Sequence, residues 1–203
     1  MKLKKLLLTT LLTGIVASGF SQKITILDGS LAPLKGEKIL NIEYDWSGIS
    51  VGKFPKEEDY IAKKTSEYNE KEAGKGDNWA NSWNGDKTGR FQPEFENLFN
   101  KYTGKLGLYL GNEKTSKYTA IVKTTFIEPG FNVYVTKKPA SVDLLIKIVE
   151  TDNKDNVVAT IVSKGNLGRT YGMSDFDTGI RISESYALAG KKLAAFFVKQ
   201  IGK

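Results

Sequence analysis

The chain has 203 residues, of which 40% are hydrophobic and 26% charged, a composition that is ordinary for a globular protein and excludes fibrous and wholly disordered classes. It contains no Cys and no His, which excludes disulfide frameworks, thiolate or imidazole metal sites, and catalytic sets built on a Cys nucleophile or a His base. The net charge of +7 comes without a basic stripe interleaved with aromatic residues, which argues against nucleic-acid binding.

The first 20 residues have the pattern of a signal peptide. Three of the first five residues are lysines, an apolar run follows, and the segment ends in small residues of the kind that a signal peptidase recognises. The apolar run is too short to span a bilayer comfortably. We therefore predict cleavage near Gly19 or Ser21, export to the periplasm or the extracellular space, and a mature chain with no transmembrane segment. Residues 21–203 are predicted to form a single domain.

The first half of the mature chain predicts one strand and two helices. Residues 21–35 are a lead-in, and the alternating residues 38–45 form the first strand. Residues 55–73 are predicted to be a helix that opens with Pro and acids. The glycine- and asparagine-rich residues 74–89 indicate a loop, and a second helix begins near Pro93. Its broad aromatic face comprises Phe91, Phe95, Leu98, Phe99 and Tyr102.

The second half predicts an antiparallel meander followed by a helix. Residues 118–127, 142–151 and 157–163 are rich in β-branched residues and are separated by turn sequences. Residues 165–179 form a glycine-rich loop. A last helix over 178–201 follows, with Asp175 or Asp177 as its cap.

Together these elements predict an α+β fold with a mostly antiparallel sheet of four to five strands. The predicted order is β-α-α-β-β-β-β-α, in which a short strand or helix tail over 106–110 precedes the meander. The second and last helices are expected to pack on the sheet. Gly190 lies inside the last helix, where Gly costs about 1 kcal/mol relative to Ala, so we expect a close approach of that helix to the sheet there.

Three segments of the chain, 118–131, 139–143 and 168–182, resemble a family of uncharacterised exported proteins of gram-negative bacteria. The resemblance extends over about 38–201. The order of elements is also distantly similar in topology to the amino-terminal domain of TolB, to LpoB and to the periplasmic part of CsgG. Those proteins work in envelope assembly and are not enzymes, so the resemblance implies an accessory role. It brings no catalytic motif, and it assigns no functional residues.

The most suggestive cluster for ligand binding is Trp79 and Trp83 with Asn81, Asn84 and Asp86. Indole faces stack on sugar rings, while amides and carboxylates bind hydroxyl groups, so an exposed pair of tryptophans would form a glycan or peptidoglycan platform. The alternative is that the tryptophans attach a long loop to the core, because Trp is highly buried on average. The cluster lacks the acidic spacing of an EF-hand, so we predict no metal site.

Partner binding has three candidate residues. Phe131 follows a Pro-Gly turn and would be displayed at a loop tip, or it lies in a plain turn. Arg169 and Arg181 would present guanidinium groups to an anionic partner, or they pair with Asp175 and Asp177. Capping of the last helix accounts for these aspartates better than a phosphate site does.

No pair of carboxylates is placed by the sequence across a cleft, so a carboxylate-based hydrolase is the weakest of the hypotheses. We predict no catalytic residues and no cofactor. The leading hypothesis is a non-enzymatic exported module that binds another cell-envelope component, most simply a protein. The alternative is a glycan- or peptidoglycan-binding module that uses Trp79 and Trp83.

Overall fold

The computed structural model describes residues 23–133, 135–168 and 177–202, and the predicted signal peptide lies outside them. The strands are β1 (Lys23–Gly29), β2 (Ile39–Asp45), β3 (Ser50–Val51), β4 (Tyr109–Gly111), β5 (Tyr118–Glu128), β6 (Phe131–Asn132), β7 (Lys137–Lys138), β8 (Ser141–Glu150) and β9 (Val157–Leu167). The α-helices are α1 (Glu57–Asn69), α2 (Lys75–Asp86), α3 (Gln92–Thr103) and α4 (Thr178–Ile201). A π-helical turn (Lys87–Phe91) joins α2 to α3.

Within the described ranges, seven strands form one mixed sheet in the order β1-β9-β8-β5-β2-β4, with β3 beside β5. The predicted sheet of four to five mostly antiparallel strands is therefore wrong in strand number and in direction, although the fold is α+β. Strand β2 runs parallel to β4 and β5 because three helices, which lie between β3 and β4, carry the chain back across the sheet. The predicted lead-in forms β1, which pairs antiparallel with β9.

The predicted meander is confirmed. Strands β5, β8 and β9 pair antiparallel, with Val122 opposite Ile146 and Ile146 opposite Ile161. These three side chains are buried on the face of the sheet that the helices cover. Alternation along each strand therefore places one set of β-branched and aliphatic residues in the core.

Helices α3 and α4 pack against each other over the sheet. Aromatic residues of the π-helical turn and of α3 pack on those of α4: Phe91 of the turn stacks on Tyr186 at 5.0 Å, and Phe99 of α3 lies edge-on to Phe197 at 5.2 Å between ring centroids. A Cβ atom at Gly190 would lie 2.1 Å from the backbone oxygen of Phe95. The close approach predicted at this glycine is thus to the backbone of α3 and not to the sheet.

The predicted loop over 74–89 is wrong, because most of it forms α2 and the π-helical turn. Asn, Asp and Gly give α2 a low intrinsic helix propensity, and tertiary packing overrides it. The side chain of Asn69 at the end of α1 accepts a hydrogen bond of 2.7 Å from the Gly76 N–H in the first turn of α2. The rings of Trp79 and Tyr60 pack edge to face at 5.7 Å, which holds α2 on α1.

The last helix is confirmed over its predicted length, and Asp177 is its N-cap, accepting a hydrogen bond from the Ile180 N–H at 3.0 Å. The other predicted cap, Asp175, lies outside the described residues, as does most of the predicted glycine-rich loop. In the part of the chain that the structure covers, none of the helices combines the length and the apolar character needed to cross a bilayer.

Candidate functional site

Helix α2 brings part of the predicted ligand-binding cluster to one side. Trp83 lies four residues after Trp79, and Asp86 lies three residues after Trp83, so the three are neighbours on the helix surface. Asn81 and Asn84 fall on other sides of the helix and are exposed. The structure therefore groups the two tryptophans with the aspartate and separates them from both asparagines.

Trp83 is a core residue. Only 4% of it is exposed, and its indole N–H donates a hydrogen bond of 2.8 Å to the buried carboxylate of Glu57. The ammonium group of Lys87 binds the other oxygen of that carboxylate at 2.7 Å. Trp83 thus helps to satisfy a buried charge that would be costly without partners.

The two indoles do not form a flat exposed platform. Trp79 is partly buried, its ring centroid lies 5.6 Å from that of Trp83, and the two planes are inclined by 34°. Trp79 also packs on Tyr68 at 5.8 Å. A glycan platform made of both tryptophans is therefore wrong, because Trp83 is buried and its indole N–H is hydrogen-bonded to Glu57. Trp79 is the more exposed of the two, and both indoles line a solvent-facing cavity.

That cavity is an open pocket of about 400 Å³ where α2 and the π-helical turn meet the start of α4. We refer to it as the α2–α4 pocket. Its wall is aromatic at one side and polar at the other. The lining residues are Tyr68, Asn78, Trp79, Ser82, Trp83, Asp86, Arg90, Asp177, Thr178 and Gly179.

A guanidinium group between two carboxylates dominates the polar side of the pocket. The Nε atom of Arg90 lies 3.1 Å from Oδ1 of Asp86, and its Nη1 atom lies 3.3 Å from Oδ2 of Asp177. Arg90 therefore connects the π-helical turn to the N-cap of α4. Burial raises the pKa of the Asp86 carboxyl; Arg90 opposes this effect, and Asp177 adds to it.

The pocket presents the chemical groups that a small polar ligand requires. Its carboxylates accept hydrogen bonds, its guanidinium, amide and hydroxyl groups donate them, and the Trp79 ring offers an apolar face. Among residues 23–133, 135–168 and 177–202, no group of three or more acidic, His or Cys side chains is placed to hold a metal ion, so we assign no metal ligands.

A second feature is the small hairpin of β6 and β7, which lies outside the main sheet. We call it the apolar hairpin. Its side chains Phe131, Val133 and Val135 are 43%, 53% and 92% exposed. Phe131 is exposed, but it lies in strand β6 and not at the loop tip suggested by the Pro-Gly turn, and two exposed valines follow it.

The base of the apolar hairpin is attached to α4 by Arg181. This residue is only 5% exposed, and its Nε atom donates to the Pro129 carbonyl at 3.2 Å. Its Nη2 atom donates to the Thr178 hydroxyl at 2.9 Å. The prediction that Arg181 presents its guanidinium to a partner is therefore wrong, because backbone carbonyls and a hydroxyl inside the protein occupy it. Arg169 lies outside the described residues.

The sequence contains local signals for several of these residues. The spacing of Trp79, Trp83, Asp86 and Arg90 is helical, and it points to a shared face once α2 is recognised as a helix. The alternation of apolar side chains from Phe131 through Val135 indicates a short strand. The sequence predicts Asp177 as a helix cap or as an ion-pair partner of Arg169 or Arg181, and no local pattern brings it to Arg90, which is 87 residues away in the sequence.

Comparison with known proteins gives little further information. No protein-family model matches the chain, and no curated protein sequence matches it. A solved structure of a variant PelC dodecamer from Paraburkholderia phytofirmans is similar to it with a TM-score of 0.42 and 12% identity, over 90% of this chain and 100% of that one. A second PelC dodecamer has a TM-score of 0.39 and 11% identity, over 86% and 98%. Similarity at this level supports no argument about the function of the chain.

Proposed function

We propose that the chain is a non-enzymatic exported accessory module that binds another component of the cell envelope, a protein, through the apolar hairpin. Export rests on the predicted signal peptide. The single observation that carries the proposal is the alternation of three exposed apolar side chains, Phe131, Val133 and Val135, on a hairpin outside the main sheet. The hairpin has only two strands beyond its anchored base, so a partner that covers its exposed apolar side chains would stabilise it.

The energetics favour docking of this hairpin. A fully buried Phe or Val side chain contributes about 1.5–3 kcal/mol relative to an exposed one, so covering these three partly exposed side chains would contribute about 4 kcal/mol. Arg181 and the Glu128–Lys138 ion pair hold the base of the hairpin. Because the base is already fixed, less conformational entropy is lost when the hairpin binds a partner.

Site-specific photo-crosslinking in the source cells tests this proposal. A photoreactive phenylalanine analogue at Phe131 or at Val135 is expected to yield the same discrete protein adduct. The matched control is the analogue at Leu27, an exposed apolar residue on β1, which is 62% exposed. Adducts that are absent at both hairpin positions, or equal at Leu27, would contradict the proposal.

A second candidate function is glycan binding in the α2–α4 pocket, favoured by the indole of Trp79 beside the Asp86–Arg90–Asp177 group. Oligosaccharides and peptidoglycan fragments serve as probes in thermal unfolding. A ligand at a hundred times its Kd adds about 2.7 kcal/mol, which raises the Tm by about 5–10 °C for a domain of this size.

Arg90→Gln is the informative variant for this assay, because Arg90 is a partly exposed pocket residue whose loss leaves the aromatic packing of α1 and α2 intact. The Tm shift is expected to disappear in Arg90→Gln and to persist in Lys53→Gln, which lies outside the pocket. A shift of equal size in both variants would remove the pocket from consideration.

A further inference from the structure

Helices α3 and α4 expose a surface that neither proposed binding site uses. An open groove of about 320 Å³ lies between α3 and α4, and a second of about 290 Å³ lies between α4 and strands β1 and β9; Ala195 lines both. Lys191 also belongs to this surface, because its ammonium group lies 4.9 Å from the ring centroid of Tyr102 in the first groove. We call this surface the lysine face. Its charged residues are Lys101, Lys105, Lys191, Lys192 and Lys199.

No acid neutralises the lysine face within the described residues. None of its five lysines forms an ion pair there. Lysines elsewhere on the described surface do pair with Glu or Asp. The sequence has no acid between Glu96 and Glu113, and none after Glu184. The α3 side and the α4 side of the face are therefore both cationic.

Helix dipoles account for only part of this charge. Lys101 and Lys199 lie in the last turns of α3 and α4, where cations are favoured. Each helix C-terminus is equivalent to about half a negative charge, so two of them offset about one of the five lysines. Lys191 and Lys192 lie in the middle of α4, about two or more turns from its end.

We propose that the lysine face docks on the anionic headgroups of a phospholipid bilayer. The two packed helices present their side chains over a shallow surface with no deep cavity. Lys provides compact charges on flexible stems, which suit dispersed phosphates, and this face has none of the guanidinium forks that chelate a single carboxylate. Tyr102, Phe196 and Val198 expose part of their apolar surface between the lysines, as residues at headgroup depth do.

Vesicle co-sedimentation tests the proposal on the chain from Ser21 onward, which contains every described helix and strand. The vesicles are phosphatidylcholine with phosphatidylglycerol, or phosphatidylcholine alone. Each lysine near an anionic bilayer strengthens binding about fivefold, so Lys105→Gln, Lys192→Gln and Lys199→Gln together are expected to weaken it about a hundredfold. Binding is also expected to fall as salt is raised.

The matched control carries Lys53→Gln, Lys56→Gln and Lys114→Gln, which remove the same charge from exposed positions elsewhere. It is expected to retain most of the binding, and unchanged thermal unfolding of both triple variants excludes loss of fold. Equal weakening by the control, or equal binding to both vesicle types, would overturn the proposal. If the protein binds soluble polygalacturonate more tightly than the vesicles, and the lysine-face variant loses this binding, the partner of the lysine face is an acidic polymer and the bilayer proposal is overturned.

Discussion

Replacing Gly190 by Ala tests the packing of α3 on α4. A helix-interior Gly-to-Ala change would by itself stabilise the helix by about 1 kcal/mol. The added Cβ, however, would lie 2.1 Å from the Phe95 backbone oxygen, so the helices must separate by about 1 Å. Phe95, Phe99 and Phe197 are fully buried at this interface, and a gap of this size forfeits a quarter to a half of each dispersion contact.

Overpacking of this kind costs about 1–3 kcal/mol, and we expect a net loss of about 2 kcal/mol in the free energy of unfolding. For a domain of this size the Tm is then expected to fall by about 4–8 °C. Urea unfolding followed by circular dichroism measures the free energy, and a thermal scan measures the Tm.

Ala195→Gly is the matched control, because Ala195 is exposed on the same helix and reports helix propensity alone. It is expected to lose about 1 kcal/mol. A Gly190→Ala protein as stable as the parent, or more stable, would refute the reasoning, because it would mean that the helices have room for a methyl group.

Burial raises the pKa of Asp45, but hydrogen bonds, first from Lys123, outweigh it and lower the pKa from 3.8 to about 2. Stability gained from this carboxylate is present above pH 3.8 and lost as the pH falls through about 2. In urea titrations over this pH range, Asp45→Asn should therefore lose less stability than the parent, by a difference of under about 1 kcal/mol. Trp83→Phe removes the indole donor from the buried Glu57 carboxylate and should cost about 1–3 kcal/mol in urea unfolding. Gly130 has φ +64°, and a Cβ there would lie 2.4 Å from a backbone oxygen, so Gly130→Ala should accelerate amide exchange in the apolar hairpin.

Distinct outcomes would contradict these three expectations. The pH argument fails if Asp45→Asn and the parent lose stability in parallel between about pH 4 and 2. Stability of Trp83→Phe within about 0.5 kcal/mol of the parent would mean that Glu57 finds another donor. For Gly130, the control is Gly48→Ala, which shares a positive φ but meets open space. If Gly48→Ala accelerates local amide exchange as much as Gly130→Ala does, the cause is backbone strain at positive φ and not a clash of the added Cβ.

The elements that sequence reasoning identified are those with a strong local period. Strands β5, β8 and β9 have runs of β-branched residues, and α4 has a 24-residue amphipathic pattern with an aspartate cap. Their locations follow from side-chain spacing alone. The parallel pairing of β2 with β5 has no such signal, because it depends on the path of the chain through three intervening helices.

Helix α2 shows where local composition misleads. Its glycines, asparagines and aspartates are typical of loops. Trp79 and Trp83, however, pack against Tyr60, and this packing stabilises the helical conformation. For the same reason, the sequence predicts only some of the residues that line the α2–α4 pocket. Trp79 and Asp86 were identified from their chemistry, but Asp177 reaches the pocket only through the packing of α4 on the π-helical turn.

The π-helical turn, Lys87–Phe91, sets the relative rotation of the two helices that flank it. One extra residue in a helix advances the phase of all that follows by about 100°, because an α-helix has 3.6 residues per turn. The helix before the turn therefore directs Asp86 into the pocket, while the helix after it directs Phe95 and Phe99 into the core. Deleting a single residue there would turn one set away, so the shape of the α2–α4 pocket and the packing of the core depend on the same turn.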